Sequence, residues 1–451
     1  MDHYRLRHGL LRALSVAVLL AYSCIPSLAF ANNNAGLRTM QLHISNHMNL
    51  PLDLYVLIWG VINRDNGFGF HVGDFVYVTD AQGNVAKPPA IPAPGQGLGI
   101  KVGMGTDTDL MLPKLSAIRI YFSLGQALVT QNGGVAGGAL SPPDVENPSD
   151  PNFNTIFDSI ETTWQVQAPI PGHPEITTNF GPNTTEVDQF GLTLQYTAYG
   201  TDPANPNNTN YSVSGGFLST ARRAALFDTL QGFGFPWSNL IVGGIGRRAR
   251  AISPNHAIHG TLLNTGFPAN YLDQYINNVF SQYATSQVTA TVSAAACDGC
   301  PTVIYNFTGS TAGGEFVFSD ASKGGPIFSL AKWSTFNAYE GNFPYGSVVP
   351  TDSYYRPDAT AAGVVKASLQ AALMRTTLLV NPNLTNDPAS CPNPSTFYNN
   401  APVNMYAKLW HANGIGGKAY GFGFDDVCSQ SSFNLVFNPT AFTVTLLGNR
   451  P

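Results

Sequence analysis

Between Met40 and Tyr211 the apolar and β-branched residues come in short runs, each ended within a few positions by glycine, proline or asparagine. Leu54-Tyr55-Val56-Leu57-Ile58-Trp59 is one such run. Phe75-Val76-Tyr77-Val78 leads into the turn Asp80-Ala81-Gln82-Gly83, and Ile118-Arg119-Ile120-Tyr121-Phe122 lies within a third, between Lys114 and Leu124. Runs of this length read as strands and the residues between them as turns. With 45 Gly and 32 Pro in the chain, the pattern predicts a β-sandwich or barrel. Gly133 to Gly138 reads as a flexible loop.

Helical spacing enters later. Leu218, Ala221, Ala225, Leu226 and Leu230 recur on one face between Leu218 and Phe233; Tyr271 to Tyr283 and the alanine-rich Ala359 to Leu379 behave likewise. Short strands lie between them, so residues 215–394 read as a mixed α/β region. After Tyr398 the β pattern returns, in Ala419-Tyr420-Gly421-Phe422 and Phe442-Thr443-Val444-Thr445-Leu446. The predicted order is a β domain begun by 32–214, an inserted α/β domain at 215–394, and a return segment, 395–451, that completes the β domain.

The first residues carry Arg5, Arg7 and Arg12, then a nearly apolar stretch from Ala13 to Ile25. Pro26 interrupts it short of the roughly 20 apolar residues a membrane span needs. Ala29-Phe30-Ala31 followed by three asparagines is a cleavage pattern, so residues 1–31 are expected to be a signal peptide cleaved near Ala31 and the protein to be secreted, extracellular or periplasmic. An uncleaved anchor is the alternative; Cys24 stands in a poor lipidation context. Losing three arginines and one aspartate takes the formal charge from −5 to −7. With 11% charged residues, no basic patch for nucleic acid or anionic membrane is expected.

Cys297, Cys300, Cys391 and Cys428 remain after cleavage, and an even number in an oxidising compartment favours disulfides. Three pairings exist; the chemically simple one joins Cys297 to Cys300 and Cys391 to Cys428. Cys297-Asp298-Gly299-Cys300 also reads as a redox site, but strand-like residues on both sides favour a stapled turn.

Among only six glutamates, Glu161 lies inside a strand-like run from Thr155 to Gln167. Alternation places Ile156, Ile160, Trp164 and Val166 on one face, toward a core, and Ser159, Glu161, Thr163 and Gln165 on the other. The second face is uncharged apart from Glu161, as a sugar-binding floor would be. A glutamate in a partly dry site would have a raised pKa and could act as a general acid. Glu186 to Tyr196 reads as the next strand, and antiparallel pairing would bring Asp188 near Glu161, the two-carboxylate arrangement of glycoside hydrolysis. The bland alternative is a pair of rim or salt-bridge carboxylates.

At these residues the chain resembles glycoside hydrolase family 64, the β-1,3-glucanases that release short laminari-oligosaccharides, within the thaumatin-like superfamily. The likeness is carried, in order, by Leu112-Pro113-Lys114-Leu115-Ser116 with Arg119-Ile120-Tyr121-Phe122-Ser123, Asn147-Pro148-Ser149-Asp150-Pro151-Asn152, Phe157-Asp158-Ser159-Ile160-Glu161-Thr162-Thr163 and Thr185-Glu186-Val187-Asp188-Gln189-Phe190-Gly191-Leu192. Ile252-Ser253-Pro254 and the run Gly417 to Val427 continue it. The resemblance implies a mainly β fold with α/β: a thaumatin-like β-sandwich or barrel domain plus an inserted mixed α/β domain flanking a wide groove. It implies Glu161 as general acid and Asp188 as general base of an inverting mechanism, with carboxyl groups about 6.5–9.5 Å apart. Thr163 and Trp164, which follow the acid, are expected at the substrate, Thr163 through sugar hydroxyls. The chain departs from the family pattern in Pro169 to Pro174, which looks inserted, in Asn404-Met405-Tyr406 where Asn-His-Tyr is common, and in Cys428.

Other polar residues take plainer readings. Glu186 reads as a rim residue and Asp158, pointing with the apolar face, as a buried hydrogen-bond acceptor. Asp425 and Asp426 either line an acidic substrate groove or cap a turn. His256 and His259 have the spacing of half a metal site, but no companion ligands follow and Pro254 argues against a helix, so a satisfied surface pair is expected. Trp59 and Trp333 fit sugar stacking and core packing equally. The expected protein is a monomeric β-1,3-glucanase, endo- or exo-acting, with β-1,3-glucan as its partner and no metal or cofactor. A non-catalytic thaumatin-like glucan-binding or antifungal protein is the alternative, and an envelope interaction protein a third.

Overall fold

The structure, a computed structural model, describes residues 37–48, 50–63, 70–89, 97–132, 135–166, 178–244, 248–259, 263–297, 299–385, 387 and 390–448. The expected signal peptide, the insertion at 169–174 and part of the loop after 133 lie outside them. The chain is mainly β with some helix, and it divides into two compact units. One takes Gly266–Lys408 and Gly421–Ser431; the other takes the described residues up to Thr265 with Leu409–Tyr420 and those from Ser432 on. Among the described residues no helix is long and apolar enough to cross a membrane.

The larger unit holds two seven-stranded sheets. The first contains β1 (Thr39–Asn46), β6 (Thr108–Pro113), β9 (Trp164–Val166), β10 (Thr178–Phe180), β13 (Leu194–Thr201), β14 (Tyr211–Gly216) and β23 (Val436–Leu446). The last strand, β23, runs parallel to β1 on one side and antiparallel to β13 on the other. The second sheet contains β2 (Leu54–Val61), β3 (Phe75–Val78), β4 (Val85–Ala86), β5 (Ile100–Val102), β7 (Ser116–Leu124), β8 (Ile156–Thr162) and β11 (Asn183–Thr184). Period-2 alternation gives each sheet one apolar face. Met40, Leu42, Ile44, Phe442, Val444 and Leu446 from the first sheet meet Leu54, Val56, Ile58, Ile118, Ile120 and Phe122 from the second in one buried cluster. Two sheets sharing one core make a sandwich.

A third, small sheet joins β12 (Gln189–Phe190), β15 (Ile241–Val242) and β16 (Arg250–Ile252), accompanied by α1 (Arg223–Gly232) and α2 (Pro254–His259). The strand expected from Glu186 to Tyr196 is therefore broken. β12 pairs β16, residues 191–193 turn, and β13 enters the first sheet. Gly191 permits the turn, because a Cβ there would lie 2.0 Å from the carbonyl oxygen of Phe157. α2 also overturns the reading of Pro254 as a helix breaker: proline is its first residue, where the missing N–H has no helical partner to lose.

The other unit contains the sheet β17 (Val288–Ala294), β18 (Val303–Ala312), β19 (Glu315–Asp320), β20 (Gly325–Ala331), the hairpin β21 (Asp352–Ser353) with β22 (Arg356–Pro357), and helices α3 (Asp273–Gln282), α4 (Thr335–Glu340) and α5 (Asp358–Met374). Cys297–Cys300 staples the connection from β17 to β18, and Cys391–Cys428 is the second disulfide; both pairs are the simple ones. Trp333 is buried against Phe280 and Phe343, and in the larger unit Trp59 is buried against Phe75 and Tyr121, so both are core residues.

Candidate active site

β7 and β8 pair with Arg119 opposite Glu161, so both side chains leave the same face of the second sheet. Arg119 Nη2 lies 2.5 Å from Glu161 Oε1, and its Nη1 donates to the Tyr121 hydroxyl at 3.3 Å. Toward the start of β8 this face is closed. Phe157 and Ser159 are buried, the Arg250 guanidinium lies 5.1 Å over the Phe157 ring, and Gln189 Nε2 donates to the Phe157 carbonyl at 3.1 Å. Of the expected sugar floor, Ser159 is thus buried, whereas Glu161, Thr163 and Gln165 are half-buried. The face opens from Glu161 onward, where the glutamate side chain is 27% exposed.

Asp188 reaches this end from the chain after β11. Asn183 pairs with Glu161, and the backbone then bends through 187–188 into β12. Two anchors fix the bend. Ser253 N donates to the Asp188 carbonyl at 3.0 Å. Further on, the amides of Gly191 and Leu192 donate to Asp158 Oδ2 at 2.8 and 3.0 Å, while Ser159 N donates to Oδ1 at 2.8 Å. Asp158 is the buried acceptor its position predicts; burial pushes its carboxyl up to about 7 against those three N–H donors. The Asp188 side chain is 56% exposed. Arg119, half-buried, is held above its ordinary pKa against the effect of burial by the negative charges of Glu161 and Asp188; Tyr121, whose hydroxyl burial pushes up, feels both charges too. The two carboxylates singled out in the sequence thus both act electrostatically on one guanidinium, which contacts Glu161 directly.

Behind Asp188 stands a residue read as half of a surface pair. His256 is buried on α2, with Nε2 3.0 Å from Asp188 Oδ1 and Nδ1 in short contact with Glu146 Oε1. His259 Nδ1 lies 3.3 Å from the other Glu146 oxygen. A ring with a carboxylate at each nitrogen has no use for a lone pair, so this arrangement favours two N–H donors and the imidazolium form. Burial alone would depress its pKa, but the hydrogen bonds it donates to Asp188 and Glu146, with their negative charges, outweigh burial and raise it to about 10. Glu146, despite burial, is held below the usual carboxylate range by His256 and His259. Among the described residues no group of three or more His, Cys, Asp and Glu side chains is arranged to hold a metal ion.

The family model described as beta-1,3-glucanase, glycoside hydrolase 64, matches residues 38–446. The chain belongs to glycoside hydrolase family 64. Relatives named glucan endo-1,3-beta-glucosidase, from Cellulosimicrobium cellulans and from Arthrobacter sp. (strain YCWD3), are 30% identical over 341 and 346 residues, covering 75% of this chain. The alignments cover 53% of each relative, so the chain spans about half the length of the curated relatives it matches. Among solved structures, a laminaripentaose-producing beta-1,3-glucanase in complex with laminaritetraose is similar at TM-score 0.70 and 26% identity, covering 91% of this chain and 99% of that one. A family 64 beta-1,3-glucanase domain from Clostridium beijerinckii gives TM-score 0.64 and 25% identity, covering 92% and 100%.

The remaining expected site residues of this family 64 chain divide sharply. Thr163 is half-buried, and its Oγ1 accepts the Ala117 amide at 3.2 Å. Trp164 is 1% exposed and belongs to the sandwich core, as alternation along the strand required, so the expected sugar contact does not fall to its ring. Glu186 is buried rather than on a rim, exchanging backbone and side-chain bonds with Tyr420. Asp425 is wholly buried, 2.9 Å from Arg375 Nη2, and lines no surface. The carboxyl of Asp426 is pushed up by burial. Glu146 and Arg119 were not singled out, although Glu146 adjoins the Asn147 segment and His256 follows Ile252-Ser253-Pro254, both part of the family likeness.

Proposed function

We propose that the protein hydrolyses β-1,3-glucan outside the cell, with Glu161 as general acid and Asp188 as general base of an inverting reaction. The observation that carries this is that Arg119, in a family 64 chain, contacts Glu161 and feels the charge of Asp188. In the reaction Asp188 takes a proton from a water that attacks the anomeric carbon, while Glu161 gives a proton to the departing glycosidic oxygen as the C–O bond breaks. Arg119 occupies Oε1, so the transferable proton belongs on Oε2. Thr163, half-buried just beyond the acid, is the nearby candidate for a sugar hydroxyl contact. The named activity of the relatives and the laminaritetraose bound to a similar enzyme support a β-1,3-linked glucan as substrate. The two disulfides fit an oxidising compartment. The sandwich of two sheets over one core supports a thaumatin-like reading of the β domain.

The test is reducing-sugar release from laminarin or curdlan. Glu161→Gln and Asp188→Asn should each lose about 10²–10⁴-fold in kcat while keeping the wild-type melting temperature. Inversion predicts that the first product seen by proton NMR carries the α-anomer at its new reducing end. Wild-type turnover by both variants rejects the assignment. Binding to curdlan without soluble product from the wild type selects the non-catalytic alternative.

A further inference from the structure

Glu146, His256 and Asp188 come from three separate parts of the chain, 110 and 68 residues apart, and form one line of hydrogen bonds that ends at the proposed base. Each member is held by backbone. Asp188 is fixed by Ser253, the residue before α2; His256 is on the first turn of α2; and Glu146 N donates to Asp144 Oδ1 at 3.1 Å within a loop where Asp144 N also donates to Asp150 Oδ2 at 2.8 Å. A buried cation between two carboxylates is costly to assemble and is tolerated only when its hydrogen bonds are complete. A rim histidine needs none of this.

We propose that His256 is the positioning residue of the general base: held as an imidazolium by Glu146, it pins Oδ1 of Asp188 and thereby turns Oδ2 toward the attacking water. This rests on the reading of Asp188 as the base. The imidazolium also tempers that base, because a cation 3.0 Å from the carboxylate favours its unprotonated form and keeps it ready at mildly acidic pH. The charged and titratable groups around the line are Glu146 and His259 on one side and Arg119, Tyr121 and Glu161, from β7 and β8, on the other. The charges alternate, Glu146 and Asp188 negative about a positive His256, then positive Arg119 and Glu161. His256 touches no reacting atom in this scheme; it acts through Asp188.

Two substitutions separate position from charge. His256→Gln keeps an N–H donor at the place of Nε2 but removes the charge. Its acid limb of kcat/KM should move up by about one pH unit, with kcat at the new optimum within about tenfold of wild type. His256→Ala removes the donor as well and should lose about 10²-fold in kcat with KM changed less than threefold, a split that general loss of structure would not produce. On the wild-type protein, ring nitrogen NMR should show both His256 nitrogens protonated from pH 5 to pH 8. A neutral His256 ring at pH 7 overturns the proposal whether or not the variants fold. So does a folded His256→Ala protein with wild-type kcat and an unmoved acid limb, provided Asp188→Asn is inactive. If Asp188→Asn instead turns over normally, the base assignment itself has failed.

Discussion

Arg119 Nη2, 2.5 Å from Glu161 Oε1, fixes the orientation of the carboxyl proposed as the acid and leaves Oε2 for the proton transfer. Arg119→Met should therefore lower kcat by about 10²-fold through lost orientation, with KM changed much less. An unchanged kcat in a folded Arg119→Met protein would remove the ion pair from any part in positioning the acid. Asp158 shows the same dependence on its partners in a structural role. Deleting its carboxyl in Asp158→Ala strands the buried amides of Gly191 and Leu192 and should cost about 2–5 kcal/mol in denaturant unfolding. Asp158→Asn, which keeps an oxygen for those amides, should cost less. Asp158 was legible because its parity set it among apolar neighbours; its partners were not, since both amides lie more than thirty residues onward.

At the level of elements, the sandwich was readable and its seams were not. Leu54 to Trp59, Phe75 to Val78 and Ile118 to Phe122 are strands because alternating β-branched and aromatic residues between turn formers have no competing helical register. The run from Glu186 to Tyr196 alternates just as well, yet it serves two sheets, and alternation says nothing about which partner each half meets. Gly191 was the available signal, since an isolated glycine in a strand pattern marks a close approach. Gly191→Ala should destabilise by about 3 kcal/mol or more, because the added methyl meets the Phe157 carbonyl rather than a movable side chain. It should also lower activity, since the same turn follows Asp188 by three residues. The partners of His256 leave no trace in the local sequence for a related reason. Pro254 reads as a helix breaker yet begins the helix, and Glu146, 110 residues away, has no local signature as a partner.

For the molecule as a whole, the buried charge line sets a direction for stability with pH. His256 is raised from an ordinary 6.5 to about 10 on folding, so its contribution is complete below about 6.5 and is lost as pH rises through about 10. Asp158, raised to about 7, has the same sign, and its contribution fades as pH climbs toward 7. Glu146 is depressed, so it stabilises above its ordinary 4.5 and that contribution disappears as pH falls through its lowered value. All three belong to the larger unit, whose melting temperature should peak on the acid side of neutrality and decline from pH 6.5 to 10. The slope from His256 is at most one proton, about 1.4 kcal/mol per pH unit. Calorimetry across that range should show the decline in wild type and a flatter curve in His256→Gln, which has no proton to lose. A wild-type curve that is flat from pH 7 to 10 would mean the ring is already neutral between its two carboxylates, and the same measurement would then remove the clamp on Asp188.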